Sequence, residues 1–210
     1  MDGMRFCSPS VKWQEHLCER FSVDHKLTPN LYSNEKKFLG PPVSIHRITG
    51  DGNCLFRSFA YVISGNEDNH DIFRTLIVSH LSETGGWVLS DETTAQYLQR
   101  TQMFEDKVWG TEVEIYTASA LFGCRVYVYS KYGDVYKWLE FKPLIRSSIP
   151  LQDESIYLYH RDGCHYDVVN SVRDHESEGS VIENYKHESS FEQVYRIFAL
   201  VKNVYYFKKL

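Results

Sequence analysis

The chain has 210 residues and a formal net charge of -5, with 42% hydrophobic and 24% charged residues. These proportions exclude wholesale disorder and suit one well-packed domain with appendages. Nucleic-acid binding is disfavoured because it depends on clustered Lys and Arg, whereas an acidic surface suits a basic partner.

Residues 1–43 are interpreted as an N-terminal arm that packs on the domain. A short helix is indicated there by apolar residues at helical spacing, namely Val11, Trp13, Leu17 and Phe21. Pro41 and Pro42 interrupt the chain after it. The arm contains His16, Cys18 and His25. These three lack any recognised zinc-ligand spacing, so no metal is expected, and no cofactor is expected in the chain.

The chain begins without an apolar leader segment and has no run of 18 or more apolar residues, so no membrane span is expected. The five cysteines include no C-x-x-C pair, and an odd number cannot all form disulfides within one chain. Reduced thiols, and therefore a cytoplasmic or nuclear location, are expected.

A glycine turn around Asp51 leads directly into a buried helix. Gly50 and Gly52 flank this aspartate, and apolar residues follow at helical spacing, namely Leu55, Phe56, Phe59, Val62 and Ile63. Cys54 falls in the first helical turn, where Asn53 is a good N-cap and the free amides favour the thiolate. The amides that can hold a developing oxyanion are those of Asp51, Gly52, Asn53 and Cys54. A lone cysteine is more often a buried hydrophobe, and the glycine turn with a downstream histidine favours a nucleophile here.

Three further helices are predicted from apolar spacing and capping residues. The first of them has one apolar face, formed by Ile72, Phe73, Leu76, Ile77 and Leu81. The next begins at Ser90 and runs toward Phe104, with acidic residues in its first turn. The last begins with a capping box formed by Thr111 and Glu114, and this structural role suffices to explain both residues.

Alternating apolar residues predict five strands, at 43–48, 124–129, 135–141, 155–159 and 164–169. The first strand delivers the chain to the glycine turn. Asp162 and Gly163 lie between the last two strands and are a strong signal for a tight hairpin. The pattern therefore predicts helices and a small sheet in one domain.

His165 and Asp167 lie two residues apart on the last predicted strand, so their side chains project to the same face. The carboxylate can accept a hydrogen bond from one imidazole nitrogen and leave the other nitrogen for Cys54. Without these two partners, His165 would be interpreted as an exposed hairpin histidine. Asp51 is interpreted mainly as a brace of the glycine turn, with a role as the acidic partner of the histidine as the alternative.

Three segments, 51–58, 109–115 and 164–169, resemble motifs of the ovarian tumour (OTU) family of cysteine proteases, most of whose studied members remove ubiquitin. The segment 51–58 matches the family's nucleophile motif residue by residue. The segment 109–115 is similar to its central motif, and the segment 164–169 is similar to its histidine strand. The resemblance runs from about residue 44 to residue 170 and leaves both ends of the chain unexplained.

The resemblance implies an α+β papain-like fold, with a small mixed or antiparallel sheet packed between helices and the nucleophile at a helix N-terminus. It implies a deubiquitinase that hydrolyses the isopeptide bond after the C-terminal glycine of ubiquitin through a thioester, with ubiquitin or polyubiquitin as partner. It places Trp109 near the active-site cleft. The candidate catalytic residues are Cys54, His165, Asp167 and Asp51. Two alternatives stay open: a catalytically silent module that binds ubiquitin or a related modifier, and a cysteine peptidase with another substrate.

The composition becomes polar and charged after Asn170. Residues 44–170 are therefore interpreted as the catalytic domain and residues 171–190 as a linker. Residues 191–210 carry an apolar stripe at helical spacing behind a capping box, which predicts a C-terminal helix. Such a helix exposes too much apolar surface to stay solvated, so it is expected to dock on the domain or to bind a protein partner.

Overall fold

The structure, a computed structural model, describes residues 4–28, 37–84, 92–143 and 151–174. The α-helices within these ranges are α1 Val11–Phe21, α2 Cys54–Ser64, α3 His70–Thr84, α4 Thr94–Thr101 and α5 Glu112–Phe122, and a short 3-10 helix spans Glu67–Asn69. The predicted helix over 191–210 and residues 175–190 of the predicted linker lie outside the described residues.

The described strands form two sheets. β1 Arg5–Phe6 and β2 Lys37–Phe38 pair antiparallel. The larger sheet consists of β3 Pro42–His46, β4 Arg125–Tyr132, β5 Val135–Phe141, β6 Ser155–Arg161 and β7 His165–Val172. Its spatial order is β3-β7-β6-β4-β5, in which β4 and β6 pair parallel and the other neighbours pair antiparallel. The predicted α+β class, with a mixed sheet and Cys54 at the start of a helix, is confirmed.

Helices α2 and α5 lie on one face of the larger sheet. The hydroxyl of Ser58 on α2 donates to the carbonyl oxygen of Tyr166 on β7 at 3.4 Å. The hydroxyl of Ser119 on α5 donates to the carbonyl oxygen of Phe141 on β5 at 3.3 Å. Because β7 begins with His165 and α2 begins with Cys54, the contact between α2 and β7 brings together the elements that carry the candidate site.

The N-terminal arm packs on α2 through the predicted helix, which forms as α1. The side-chain amide of Gln14 donates to the carbonyl oxygen of Val62 at 2.6 Å. The thiol of Cys18 donates to the carbonyl oxygen of Ile63 at 3.4 Å. Both α1 side chains are buried. The last turn of α2 is therefore fixed by buried polar contacts as well as by apolar packing.

The opposite face of the larger sheet carries the short β1–β2 sheet. Phe6 and Leu39 pack there against Tyr127 and Tyr157, and the rings of Phe6 and Tyr157 lie 4.3 Å apart. The phenol of Tyr157 also accepts the main-chain N–H of Cys7 at 2.7 Å. The β1–β2 sheet thus covers part of the face of the larger sheet that lies opposite α2 and α5.

The larger sheet extends past both predicted limits of the catalytic domain. Pro42 on β3 is the register partner of Val172 on β7, and Ser44 is the partner of Ser171. The boundaries predicted at 43/44 and 170/171 therefore fall within paired strands. The reason is that strand pairing uses main-chain groups, which the polar composition after Asn170 does not reveal.

Helix α4 begins at Thr94 and not at Ser90 as predicted. The hydroxyl of Thr93 accepts the main-chain N–H of Gln96 at 3.3 Å, and the Gln96 side chain accepts the main-chain N–H of Thr93 at 2.9 Å. This reciprocal capping box fixes the start of the helix, and it outweighs the weaker preference of acidic residues for a first turn.

Candidate active site

Helix α2 begins at Cys54, and Asn53 occupies the position before it. The predicted capping role of Asn53 is wrong, because its side chain makes no capping hydrogen bond. Its side-chain oxygen instead accepts Nη2 of Arg74 at 2.7 Å and the main-chain N–H of Lys107 at 2.9 Å. Tertiary partners therefore hold the Asn53 side chain away from the helix start.

Asp51 braces the turn before α2. Its carboxylate accepts the main-chain N–H of Asn53 at 2.9 Å and Nη2 of Arg57 at 2.7 Å. The hydrogen bond from Arg57 holds the pKa of Asp51 well below its usual range, against the opposing effect of burial. Of the two roles considered for Asp51, these contacts favour the brace, because a guanidinium already engages the carboxylate.

Gly52 allows the turn to approach a second segment of main chain. Its φ of 95° lies in the region that L side chains rarely adopt, and a Cβ there would lie 2.6 Å from the carbonyl oxygen of Lys107. In the same turn, the Asn53 amide predicted for the oxyanion hole donates to Asp51. The amides of Asp51, Gly52 and Cys54 are the remaining candidates for that role.

The start of β7 brings His165 and Asp167 into hydrogen-bond contact. Nε2 of His165 lies 3.1 Å from Oδ1 of Asp167. The opposite edge of the imidazole faces the glycine turn, since a Cβ on Gly50 would lie 3.5 Å from Cε1 and 3.6 Å from Nδ1. The carboxylate engages Nε2, which leaves Nδ1 as the nitrogen available for chemistry.

Asp167 is fully buried and is held by further donors. The main-chain N–H of Ile48 lies 3.0 Å from Oδ1, while Arg47 and Arg161 lie 2.7 Å and 3.6 Å from Oδ2. Burial raises the pKa of Asp167, but the hydrogen bonds from Ile48 and Arg47 and the charges of His165 and Arg161 outweigh it and lower the pKa overall. The carboxylate is therefore ionised and fixed beside the imidazole.

Cys54 is buried, and its sulfur lies beside the main chain of Tyr166, the residue that follows His165. Burial raises the pKa of the Cys54 thiol, and hydrogen bonds from the amides of Tyr166 and Leu55 offset this only in part. The prediction that the helix start lowers the pKa of this thiol overall is therefore wrong, because desolvation outweighs the amides. A thiol in this state needs a neighbouring base before it can act as a nucleophile.

The segment before α5 lies against the nucleophile helix. A Cβ on Gly110 would lie 2.5 Å from Cδ2 of Leu55, and the neighbouring Trp109 is 48% exposed. The capping box predicted for Thr111 and Glu114 is confirmed, with the Glu114 carboxylate accepting the main-chain N–H of Thr111 at 2.7 Å. The start of α5 thus holds Gly110 and Trp109 next to α2.

Arg74 is a buried member of the site that the sequence did not single out. It is 3% exposed, and its guanidinium donates to Asn53, Met103 and Val108. The available signal was its place on α3, three residues before the buried Ile77, where an arginine faces the core. Its partners are far apart in sequence, so they could not be predicted from local pattern.

Cys18, Cys54, Cys124 and Cys164 are free thiols. Burial raises the pKa of Cys18 to about 11 and that of Cys124 still further, whereas Cys164 is exposed in the hairpin turn. Within the ranges that the structure describes, no group of three or more His, Cys, Asp or Glu side chains could hold a metal ion. No helix in those ranges has both the length and the apolar character needed to cross a bilayer.

Sequence comparison places this site within a known family model. The model described as OTU-like cysteine protease matches residues 49–166. The chain is 27% identical over 135 residues to OVARIAN TUMOR DOMAIN-containing deubiquitinating enzyme 7 of Arabidopsis thaliana. The aligned region covers 63% of this chain and 34% of that protein. It is 30% identical over 88 residues to enzyme 6 of the same plant, covering 41% of this chain and 17% of that protein. The matched region therefore spans about a third or less of these relatives.

Solved structures share the fold. The OTU domain of OTUD1 has a TM-score of 0.51 at 17% identity, over 60% of this chain and 85% of that domain. The viral OTU domain protease from Dera Ghazi Khan virus has a TM-score of 0.50 at 18% identity, over 62% of this chain and 81% of that protease. At these identities the likeness concerns the fold, which here is the papain-like α+β arrangement predicted from the motifs.

Proposed function

This chain belongs to the OTU-like cysteine protease family, whose model matches residues 49–166, and on that premise we propose that it is a cysteine-type deubiquitinase. The proposed reaction is hydrolysis of the isopeptide bond after the C-terminal glycine of ubiquitin. The observation that carries the proposal is the His165–Asp167 hydrogen bond of 3.1 Å on the strand beside the buried Cys54. A module that only binds a modifier has no need of these three groups in one place.

In the proposed triad, Cys54 is the nucleophile, His165 is the general base and acid, and Asp167 orients the imidazole. Nδ1 of His165 takes the thiol proton, and the sulfur attacks the isopeptide carbonyl carbon. The carbonyl oxygen becomes an oxyanion, for which the amides of Asp51, Gly52 and Cys54 are candidate donors. His165 then gives its proton to the lysine amine as the C–N bond breaks, and a thioester remains.

Water completes the proposed cycle. It loses a proton to His165 and attacks the thioester carbonyl carbon, and the C–S bond breaks. The sulfur recovers a proton from His165, and the modifier leaves as a carboxylic acid that ionises in water. Burial raises the pKa of the Cys54 thiol, so the base is needed to take the proton in the first step.

The proposed substrate is ubiquitin or polyubiquitin. The support is that the curated relatives in Arabidopsis thaliana are named deubiquitinating enzymes. The net charge of -5 agrees with this substrate, because the tail of ubiquitin carries arginines. Since five cysteines cannot all form disulfides within one chain and include no C-x-x-C pair, we propose a reducing compartment, the cytoplasm or nucleus, as its location.

The test is capture of a ubiquitin probe that carries a C-terminal electrophile. We expect one covalent adduct on the parent chain, located at Cys54 by mass spectrometry and absent from Cys54→Ala. Cys164→Ala is the matched control, because it removes an exposed thiol and should leave capture unchanged. An adduct elsewhere, or no adduct at all, overturns the proposal. Binding without an adduct would point to a silent module, and capture of a related modifier alone would point to another substrate.

A further inference from the structure

Arg74 on α3 ties the nucleophile turn to a distant part of the chain. Its Nη2 donates to Oδ1 of Asn53 at 2.7 Å and to the carbonyl oxygen of Val108 at 2.9 Å, and its Nη1 donates to the carbonyl oxygen of Met103 at 3.0 Å. Its guanidinium also lies 3.9 Å from the centroid of the Phe56 ring on α2. The Arg74 side chain thus contacts the residue before Cys54, the helix α2 that begins at Cys54, and the segment from Met103 to Val108.

The positive charge of Arg74 is buried without a close carboxylate. Its hydrogen-bond partners are two carbonyl oxygens, a side-chain amide and a thioether, and in the described ranges no carboxylate oxygen lies within ion-pair distance. Burial lowers the pKa of Arg74, while more distant charges, chiefly that of Asp106, oppose this. A guanidinium stays protonated at neutral pH even so. Burial of an unpaired charge costs free energy, and such groups are concentrated at functional sites.

The field of this charge reaches the sulfur of the nucleophile. Ionised Cys54 is the last of the charges that act on Arg74, after Asp106, Glu114 and Asp51, and by reciprocity the Arg74 charge favours the thiolate. The charge of Asp51 acts in the opposite direction and raises the pKa of Cys54. The other guanidinium of the turn, Arg57, is neutralised by its ion pair with Asp51 at 2.7 Å. Arg74 is therefore a cation beside this turn that has no carboxylate in direct contact, although the charges of Asp106, Glu114 and Asp51 act on it from farther away.

We propose that Arg74 is a positioning residue of the active site, which holds the nucleophile turn through Asn53 and supplies the positive charge that favours the Cys54 thiolate. The same charge favours an oxyanion at the amides of that turn. This inference rests on the proposed function only in taking Cys54 as the nucleophile. Its first test needs no ubiquitin, so the two can fail separately.

The first test is the pH dependence of Cys54 alkylation by iodoacetamide, followed residue by residue with mass spectrometry. Burial and the charge of Asp51 raise the pKa of Cys54, the amides of Tyr166 and Leu55 lower it, and the effect inferred for Arg74 adds to these. His165 is the proton acceptor in the proposed mechanism. In Arg74→Met we expect the profile to move to higher pH and the rate at pH 7 to fall about tenfold, because one pKa unit changes the thiolate fraction tenfold. Arg74→Lys keeps the charge and should restore most of the rate.

The matched control is Arg20→Met. Arg20 also donates to a carbonyl oxygen, that of Leu121 at 2.9 Å, and it lies 5.0 Å from the centroid of the Phe21 ring. Arg20 is exposed, so Arg20→Met should lower the melting temperature less than Arg74→Met and leave the alkylation profile unchanged. A purely structural loss in Arg74→Met should lower its melting temperature and leave its alkylation profile unchanged as well. An unchanged profile in folded Arg74→Met overturns the electrostatic part of the inference.

If Arg74→Met does not fold, two other variants test the inference about Arg74. Both Arg74→Lys and Asn53→Ala retain a cation at position 74. The first removes the planar guanidinium that bonds Asn53 and Val108 together, and the second removes its acceptor in the turn. Each should keep the alkylation profile of the parent and capture the ubiquitin probe about tenfold more slowly, since misplacement of reacting groups is costly. A shifted profile in either variant, or capture at the parental rate in both, overturns the inference. A parent that never captures the probe refutes the proposed function and leaves the alkylation test intact.

Discussion

Nε2 of His165 lies 3.1 Å from Oδ1 of Asp167, and the other oxygen of that carboxylate is engaged by a cation. Arg47 lies 2.7 Å and Arg161 lies 3.6 Å from Oδ2. These cations offset part of the charge on Asp167. The carboxylate therefore orients the imidazole firmly but stabilises an imidazolium less than an unpaired carboxylate would.

The first prediction compares Asp167→Asn with Asp167→Ala. The oxygen of Asn can still accept from His165 and from the Ile48 amide, while its NH2 group would face Arg47, whose 60% exposed side chain can turn to solvent. We expect kcat/KM to fall about 10- to 100-fold in Asp167→Asn, less than the ~10⁴ in kcat of a serine triad, because Arg47 already offsets the lost charge. We expect kcat/KM of Asp167→Ala to be about tenfold lower than that of Asp167→Asn, since Ala also removes the acceptor that orients His165.

Both Asp167 variants are assayed by steady-state hydrolysis of a ubiquitin substrate, after circular dichroism has shown that they are folded. Parental activity in Asp167→Ala would remove Asp167 from the site. Asp51 would then be tested with the same pair of substitutions, as the remaining candidate for the acidic partner.

The second prediction concerns Gly52, with Gly133 as its control. Both have positive φ, at 95° and 63°, but a Cβ at Gly133 meets nothing within 4 Å whereas one at Gly52 lies 2.6 Å from the Lys107 carbonyl oxygen. We expect Gly133→Ala to cost about 1 kcal/mol of folding free energy from backbone strain alone, with activity unchanged. Gly52→Ala should lower the free energy of unfolding by about 3 kcal/mol, because the turn must move away from Lys107. The same displacement should abolish most of the activity. Denaturant unfolding measures the difference, and equal costs would show that the contact does not matter.

The third prediction concerns the pH dependence of stability at Glu112, the first residue of α5. Burial raises the pKa of Glu112 from 4.5 to about 7, against the effect of its own main-chain amide. The folded chain therefore binds this proton more tightly than the unfolded chain does. The resulting stabilisation is complete below pH 4.5 and is lost as the pH rises through about 7. Glu112→Gln cannot titrate and should gain stability relative to the parent between those values.

Melting temperatures across that pH range test the Glu112 prediction. Glu105→Gln is the control, because it removes an exposed carboxylate close by in the chain. We expect the difference between Glu112→Gln and the parent to grow as the pH rises from 4.5 to about 7, and to exceed the difference between Glu105→Gln and the parent. A flat difference for both would mean that Glu112 is solvated in solution.

The sequence predicted the parts of the site that depend on local pattern. Cys54 at a helix start, the hairpin around Gly163, and His165 and Asp167 on one strand face follow from spacing and turn chemistry. The capping box of Thr111 at the start of α5 followed in the same way.

The contacts that the sequence missed join residues far apart in the chain. The carboxamide of Asn53 binds Arg74 and Lys107 rather than the helix start, and Asp167 is held by Arg47, which directly follows β3. The pKa of Cys54 was predicted in the wrong direction for a related reason. Helix position is local, whereas the burial that controls this thiol depends on the whole fold.

The most direct test of the account is hydrolysis of a ubiquitin–lysine isopeptide by the full chain, followed over time and quantified by mass spectrometry. We predict release of ubiquitin with a free C-terminal carboxylate by the parent, at a rate unaffected by Cys164→Ala. We predict complete loss of release in Cys54→Ala and in His165→Ala, with both variants folded. Release by folded Cys54→Ala, or none by the folded parent, would contradict the account.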